Sequence, residues 1–123
     1  MSTSEFDDRA PIYVQIMDII KRDIVTGRLK GGDKLPSVRE IAERLKVNPN
    51  TAQRAYQELE KEGITYTQRG LGSFVTEDET MIRGIKAKMA REIIASFIKG
   101  MESIGYNKEE MLDALKKYLE EGV

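Results

Sequence analysis

The feature that most constrains the fold is a pair of helix start signals within residues 35–63, LPSVREIAERLKVNPNTAQRAYQELEKEG. Ser37 is followed three residues later by Glu40, the spacing of a capping box in which a hydroxyl and a carboxylate each accept a free backbone N–H. Asn48 stands directly before Pro49, which is an N-cap residue followed by the residue best tolerated at the first helical position. The sequence therefore predicts two helices joined by a tight turn, and Gly63 is placed to end the second.

The second of these helices carries a polar face opposite its apolar stripe. The apolar stripe, at three- and four-residue steps, consists of Ala52, Ala55, Tyr56 and Leu59. The polar face consists of Asn50, Gln53 and Gln57, flanked by Arg54 and Lys61, with Asn48 and Thr51 in the first turn. Amides flanked by cations match the major groove of DNA, because Asn and Gln can pair with adenine and Arg can bind guanine or phosphate. Ordinary solubilising residues are the alternative interpretation of such a face.

A β-hairpin is predicted after Gly63. Residues 64–68 are rich in β-branched and aromatic side chains, and residues 73–76 form the returning strand. Gly70 and Gly72 supply the positive φ angles that a tight hairpin turn requires. Arg69 at the tip could enter the minor groove or bind its phosphates. A purely structural hairpin is the alternative.

Taken together, these segments resemble the winged helix-turn-helix domain of the GntR family of bacterial transcription regulators. The matching positions are Pro11-Ile12-Tyr13, Gln15-Ile16, Gly27, Leu29, Gly32, Leu35-Pro36-Ser37, Arg39, Ala42, Leu45, Val47, Thr51, Ala55-Tyr56, Leu59, Gly70, Gly72 and Phe74-Val75. The resemblance implies a mainly α fold with a small β-hairpin wing. We expect a flexible tail over residues 1–10, the DNA-binding domain over 11–76, a linker over 77–80 and a helical dimerisation region over 81–123.

Roles in binding double-stranded DNA are assigned from the polar face of the second helix and from this resemblance. Base reading is assigned to Asn48, Asn50, Thr51 and Gln53, and Arg39 is assigned to a base or a phosphate. Ser37 and Arg54 are expected to bind backbone phosphates, helped by the positive N-termini of both helices. Arg69 and Gly70 form the expected wing contact.

The C-terminal region is predicted to be a helical hairpin, with one helix over about 81–104 and another over about 108–121. Its apolar stripe consists of Ile82, Ile85, Met89, Ile93, Phe97, Met101, Leu112, Leu115 and Leu119. Two helices of this length cannot bury so many apolar side chains by themselves, so either the winged domain of the same chain or a second copy must cover them. Because a linker separates the hairpin from the first domain, a second copy is expected. A sensor pocket is the alternative, but about 45 residues leave little volume for one. Among GntR-like proteins, a two-helix tail resembles the YtrA subfamily, in which it is a dimerisation element, and this implies a repressor.

Composition excludes several other classes of function. The 123 residues contain no cysteine and no histidine, which removes disulfides, the usual zinc sites and the commonest general base. We therefore expect no enzyme, cofactor or metal site. No long apolar run or leader is present, so we expect a cytoplasmic protein without a membrane span.

Net charge adds one further constraint. The net charge is only −1, yet residues 34–54 hold five cations against two acids. Local rather than overall positive charge suits a protein that reads a sequence. A winged helix that docks a protein partner without sequence-specific DNA binding is the alternative function, and a small-molecule effector stays unknown.

Overall fold

The computed structural model describes residue 6 and residues 10–122. The predicted flexible tail over residues 1–10 therefore falls largely outside the described residues. The elements are α1 (Ile12–Val25), α2 (Val38–Leu45), α3 (Pro49–Lys61), β1 (Thr65–Gln68), β2 (Gly72–Val75), α4 (Glu79–Ser103) and α5 (Lys108–Glu121). The chain divides into two compact units, residues 1–86 and 87–123. The predicted fold class, mainly helical with a small hairpin, is confirmed.

Helix α3 is the centre of the first unit, because α1, α2 and β1 all pack against it. Its apolar stripe is buried as predicted, and Ala52, Ala55 and Leu59 have no exposed surface. From α1, the buried side chains are Ile16, Met17, Ile20 and Ile24. At about 1.5–3 kcal/mol for each fully buried large apolar side chain, these contacts hold α3 firmly in the unit.

The turn between α2 and α3 contains a strained residue. Lys46 caps α2 in the left-handed conformation, with φ 58° and ψ 48°, and is the one non-glycine residue with positive φ in the described part of the chain. The turn is closed by the Val47 N–H, which donates to the Ala42 carbonyl at 3.0 Å. A residue with a Cβ is disfavoured here, because the Cβ approaches the following carbonyl oxygen.

Replacing Lys46 with glycine should therefore stabilise the protein. We expect Lys46→Gly to raise the free energy of unfolding by about 0.5–1 kcal/mol, since relief of the left-handed strain outweighs the extra backbone entropy of glycine in the unfolded chain. Urea denaturation measures the change. The matched control is Lys61→Gly, which places the same substitution in right-handed helix and should destabilise. A destabilised Lys46→Gly variant would contradict the strain argument.

The hairpin is antiparallel, with Thr65 opposite Val75 and Gln68 opposite Gly72. Residues 33–35 extend it on the side of β2, because the Leu35 N–H donates to Ser73 O and the Val75 N–H donates to Asp33 O, both at 2.8 Å. The rings of Tyr66 and Phe74 stack on one face with centroids 5.7 Å apart. The wing is thus hydrogen-bonded to the segment that leads into α2.

Helix α4 begins at Glu79, two residues before the predicted start. The Asp78 carboxylate accepts the backbone N–H groups of Thr80 and Met81 at 2.9 and 3.3 Å, which is the bonding of an N-cap. The polar run at residues 77–80, predicted as a linker, therefore contains a helix start. A capping box of Asn107 and Glu110 starts α5, where the sequence predicts it.

The second unit buries almost nothing by itself. Met111 is the one buried side chain among its described residues, 87–122. Within this unit α4 and α5 make few close approaches. The large exposed apolar side chains here are Ile93, Ile94, Phe97, Ile98, Ile104, Tyr106, Leu112, Leu115, Tyr118 and Leu119. Of the other predicted members of the stripe, Met89 and Met101 are half-buried, while Ile82 (half-buried) and Ile85 (buried) lie in the first unit.

Candidate nucleic-acid interface

The exposed face of α3 carries the side chains that the sequence predicts as readers of DNA. Asn50, Gln53, Arg54 and Gln57 are exposed, and Thr51 is half-buried. They lie opposite the stripe that packs on α1 and α2, so the packing that buries one face of α3 presents the other. Arg39, in the first turn of α2, is exposed as well.

Two predicted site residues also cap helices. The Asn48 side-chain oxygen accepts the Asn50 N–H at 2.7 Å, and the Ser37 hydroxyl accepts the Glu40 N–H at 3.0 Å. Asn48 thus keeps its amide N–H groups free to donate. The Glu40 carboxylate accepts the Ser37 backbone N–H at 2.8 Å. This hydrogen bond lowers the pKa of Glu40, and the side-chain hydrogen bond with Ser37 is the second cause of the lowering.

A buried hydroxyl ties α3 to the start of α2. Tyr56 donates its phenol proton to the Pro36 carbonyl at 2.6 Å, directly before the Ser37 cap. Burial raises the pKa of Tyr56 to about 12. The bond fixes the N-terminus of α2, and with it Ser37 and Arg39, against the helix that carries the polar face.

Removing this hydroxyl should weaken the first unit. We expect Tyr56→Phe to lower the free energy of unfolding by about 1–2 kcal/mol, because the hydrogen bond is lost and a carbonyl loses a partner. The folded pKa is raised, so this stabilisation is complete below pH 10 and disappears as pH rises towards about 12. Urea denaturation of both proteins at about pH 8 and about pH 11 measures both effects. An alkaline loss of equal size in the variant would show that Tyr56 is not its source.

Arg54 contacts α1. Its guanidinium carbon lies 4.0 Å from the ring centroid of Tyr13, and its Nη2 lies 3.4 Å from the Tyr13 hydroxyl oxygen. Tyr13 is half-buried. Arg54 therefore stands on the flank of the α3 face, against a ring from another helix.

The wing carries its predicted residues at the tip. Arg69 and Gly70 are exposed between β1 and β2, and Gly70 has φ +79° with open space around the position of a Cβ. Because α3 packs on β1, the wing begins beside the C-terminal half of α3, where Thr67 Oγ1 donates to Glu60 Oε1 at 2.6 Å.

Sequence reasoning missed Lys34 as a candidate contact at the wing. A Cβ on Gly72, where φ is +120°, would lie 3.0 Å from Lys34 Cε, so the end of the lysine side chain lies at the turn end of the hairpin, where Gly72 pairs with Gln68. The exposed Lys34 thus adds a cation at the same end of the hairpin as Arg69. The one signal in the sequence that could have identified Lys34 is its position directly before Leu35-Pro36, at the start of the locally positive residues 34–54.

The three arginines of this surface form no ion pair with a described carboxylate. The pairs between described residues are Lys21 with Glu62, Arg28 with Asp23, and Lys61 with Glu58. Arg39, Arg54 and Arg69 belong to none of them. Their charges are therefore available to an anionic ligand, whereas Lys61, at the other end of α3, is paired.

Two searches of the described residues were negative. Nowhere among residue 6 and residues 10–122 do three acidic side chains gather as a metal site requires. None of the helices described is both long and apolar enough to cross a bilayer.

Comparison with known proteins agrees with this geometry. The family described as "Bacterial regulatory proteins, gntR family" matches residues 12–75. The chain is 46% identical over 119 residues to the HTH-type transcriptional regulator YhcF of Bacillus subtilis, covering 97% of this chain and 98% of that protein. It is 40% identical over 109 residues to the HTH-type transcriptional repressor YtrA of B. subtilis, covering 87% and 83%.

Solved structures give the same result. A GntR family transcriptional regulator from Listeria monocytogenes superposes with a TM-score of 0.83 at 48% identity, covering 91% of this chain and 98% of that one. The DNA-binding domain of AraR, in complex with operator ORX1, superposes with a TM-score of 0.54 at 26% identity, covering 58% and 92%. The chain therefore belongs to the GntR family of bacterial, DNA-binding transcription regulators, and YtrA is among its relatives.

Proposed function

We propose that the protein is a homodimeric repressor that binds an inverted-repeat operator and acts in the bacterial cytoplasm. The observation that carries the proposal is the face of α3, where exposed amides stand beside cations that no described carboxylate neutralises. The recognition helix of a helix-turn-helix protein reads base edges with its N-terminal residues, which matches the position of this face.

In this proposal the first turns of α3 enter the major groove. Asn50 and Gln53 pair with bases through their free amides, and Thr51 contacts a base with its methyl or hydroxyl group. Asn48 donates from its amide nitrogen, since one lone pair of its oxygen is used by the helix cap. Arg39, from the neighbouring helix α2, binds a base or a phosphate.

Backbone contacts set the register of the protein on the duplex. Ser37 and Arg54 bind phosphates, and the free N–H groups at the starts of α2 and α3 add partial positive charge. At the wing, Arg69 reaches the minor groove or its phosphates, and Gly70 allows the backbone to approach closely. Phosphate contacts of this kind make affinity fall as salt rises.

The second unit supplies the partner surface for a homodimer. A groove of about 330 Å³ lies between its helices, lined by Ile94, Phe97, Ile98, Glu102, Lys108, Met111 and Leu112. Exposed apolar side chains continue along α5, where Leu112 and Leu119 are 68% and 75% exposed. Such a contiguous patch is unusual on a monomer, and another copy of the same patch covers it with two-fold symmetry.

Covering this patch is favourable. At about 25 cal/mol per Å² of apolar surface, burial of several large side chains from each copy offsets the entropic cost of association. The proposed interface therefore includes Ile93, Phe97, Met101, Leu112, Leu115 and Leu119, with Met89 at its edge. Ile82 and Ile85 have less surface to contribute, because Ile82 is half-buried and Ile85 is 7% exposed in the single chain.

Repression is supported by the relatives. YtrA of B. subtilis is a transcriptional repressor by name, and it matches 87% of this chain, which extends into the second unit. A dimer bound across an operator hinders the polymerase sterically without needing a further domain.

Selection of binding sites from a random duplex pool tests the proposal. We expect two inverted half-sites whose centres lie about 10 base pairs apart, or a multiple of that spacing, because two-fold symmetry repeats the α3 face along B-DNA. A pool that yields no enriched sequence at moderate salt would contradict sequence-specific binding. Enrichment of one isolated half-site would contradict the symmetric dimer.

A further inference from the structure

The contact between Arg54 and Tyr13 joins an exposed cation on α3 to the start of α1. The guanidinium carbon lies 4.0 Å from the ring centroid, which places the charge over the π face. The hydroxyl of Tyr13 lies 3.4 Å from Nη2, at the long limit for a hydrogen bond. Stacking on the ring is therefore the main component of this contact.

The position of the ring is itself well determined. Tyr13 lies in the first turn of α1, three residues before Ile16, which has no exposed surface. The backbone there is anchored because the Pro11 carbonyl accepts the N–H groups of Val14 and Gln15 at 3.1 and 3.2 Å. Tyrosine has only two side-chain torsions, so a half-buried ring on an anchored helix turn offers a fixed platform.

Stacking leaves most of the N–H donors of Arg54 free, since only Nη2 contacts the Tyr13 hydroxyl. A guanidinium holds five N–H donors in its own plane, and contact through one face does not use those at its edge. None of the ion pairs between described residues includes Arg54. The group is thus oriented, still charged, and able to bind an anion with two parallel hydrogen bonds.

We propose that Tyr13 is a positioning residue for DNA binding, which holds the Arg54 guanidinium in place for a phosphate at the edge of the major groove. This rests on the proposed function, because it assumes that the α3 face docks on DNA. It adds a residue from α1, outside the helix-turn-helix, to the machinery of recognition. An unrestrained arginine loses side-chain entropy when it binds a phosphate. Because the Tyr13 ring already restricts the Arg54 side chain in the free protein, less entropy is lost on binding.

Salt-dependent titration of the selected operator tests this, with the full-length protein and four variants. Arg54→Ala should weaken binding by about 10-fold per half-site and reduce the slope of log affinity against log salt by about 1 per protomer. Tyr13→Leu should weaken binding by about 2- to 5-fold per half-site. Tyr13→Phe should stay near wild type, because it keeps the π face. In the double variant Tyr13→Leu/Arg54→Ala, the leucine should add nothing to the loss caused by the alanine.

A second route avoids any change to α1. Arg54→Lys keeps the charge but has no planar face to stack, so it should lose affinity as Tyr13→Leu does. If Tyr13→Leu proves too unstable to fold, binding of wild-type strength by Arg54→Lys would still overturn the inference, because neither the stack nor the paired hydrogen bonds would then matter. Arg22→Ala is the charge control, because Arg22 is exposed and lies about 180° around α1 from Tyr13; it should bind as wild type does.

Several results would overturn the inference. If Tyr13→Leu and Arg54→Lys both bind the operator as the wild type does, the stack has no role in recognition. A loss from Tyr13→Leu that persists in the Arg54→Ala background would show that Tyr13 acts independently of Arg54. An equal loss in Tyr13→Phe would assign the effect to the hydroxyl. Each of these requires that the wild type binds its operator, so they are distinct from failure of the proposed function, in which the wild type itself selects no site.

Discussion

Phe97→Asp is expected to convert the protein from a dimer into a monomer at micromolar concentration. Phe97 lines the apolar groove of the second unit together with Ile94, Ile98 and Met111. Two-fold symmetry would place the new carboxylate in the interface twice, and the groove offers no excess of cations to it, because the charge of Lys108 in its lining is balanced by that of Glu102. Burial of an unpaired charge costs several kcal/mol, and the contacts of the ring are lost as well. Sedimentation velocity measures the change in mass.

The control for this prediction is Lys99→Asp. Lys99 is exposed and lies two residues further along α4, about 200° around the helix from Phe97. The same acidic residue should be tolerated there, and the variant should remain a dimer. A dimeric Phe97→Asp variant would show that the groove does not form the interface.

The loss of the dimer should also weaken DNA binding. A monomer engages one half-site, and the linkage between two binding modules commonly raises overall affinity by about 10²- to 10⁴-fold. We therefore expect Phe97→Asp to bind the full operator with an affinity lower by about that factor, while the first unit stays folded. Wild-type affinity in a monomeric variant would contradict the dependence on two copies.

The second large effect is expected on the α3 face. Gln53→Ala and Arg39→Ala should each lose about 1–3 kcal/mol per half-site for the operator if they read bases, which is a loss of about 5- to 150-fold. Both side chains are exposed, and neither fills the core, so the free energy of unfolding should hardly change. Titration against the selected operator and against a scrambled duplex separates lost specificity from lost affinity.

Gln57→Ala is the matched control for Gln53→Ala. The two glutamines lie on the same face of α3, four residues apart, and both are exposed. Gln57 lies one turn further from the N-terminus, where a recognition helix leaves the bases, so its loss should be much smaller. Unchanged affinity in Gln53→Ala would remove this residue from the interface.

Much of the first unit could be predicted because its signals are local. Two helix starts are indicated within a few residues, one by the capping box of Ser37 and Glu40 and the other by the Asn48-Pro49 pair. The apolar periodicity then decides which face of α3 is buried, and by exclusion which face is exposed. The glycines at residues 70 and 72 are also a local signal, because they indicate the positive φ angles of the hairpin turn.

The contacts that orient the site could not be predicted from such signals. Tyr56 reaches Pro36 across 20 residues and Arg54 reaches Tyr13 across 41, so both depend on how helices pack. The early start of α4 was missed for a different reason. Asp78 lies in an acidic run that resembles a linker. Its role as a helix cap follows from the backbone conformation, which brings the Thr80 N–H to the Asp78 carboxylate.

The central claim is that one polar face of α3, presented twice by a symmetric dimer, reads the operator. Site selection repeated with Gln53→Ala measures this most directly. We predict that the variant selects the same inverted half-sites and spacing, but loses base preference at one position in each half-site, symmetrically. A motif identical to that of the wild type, or a preference lost in only one half, would contradict the claim.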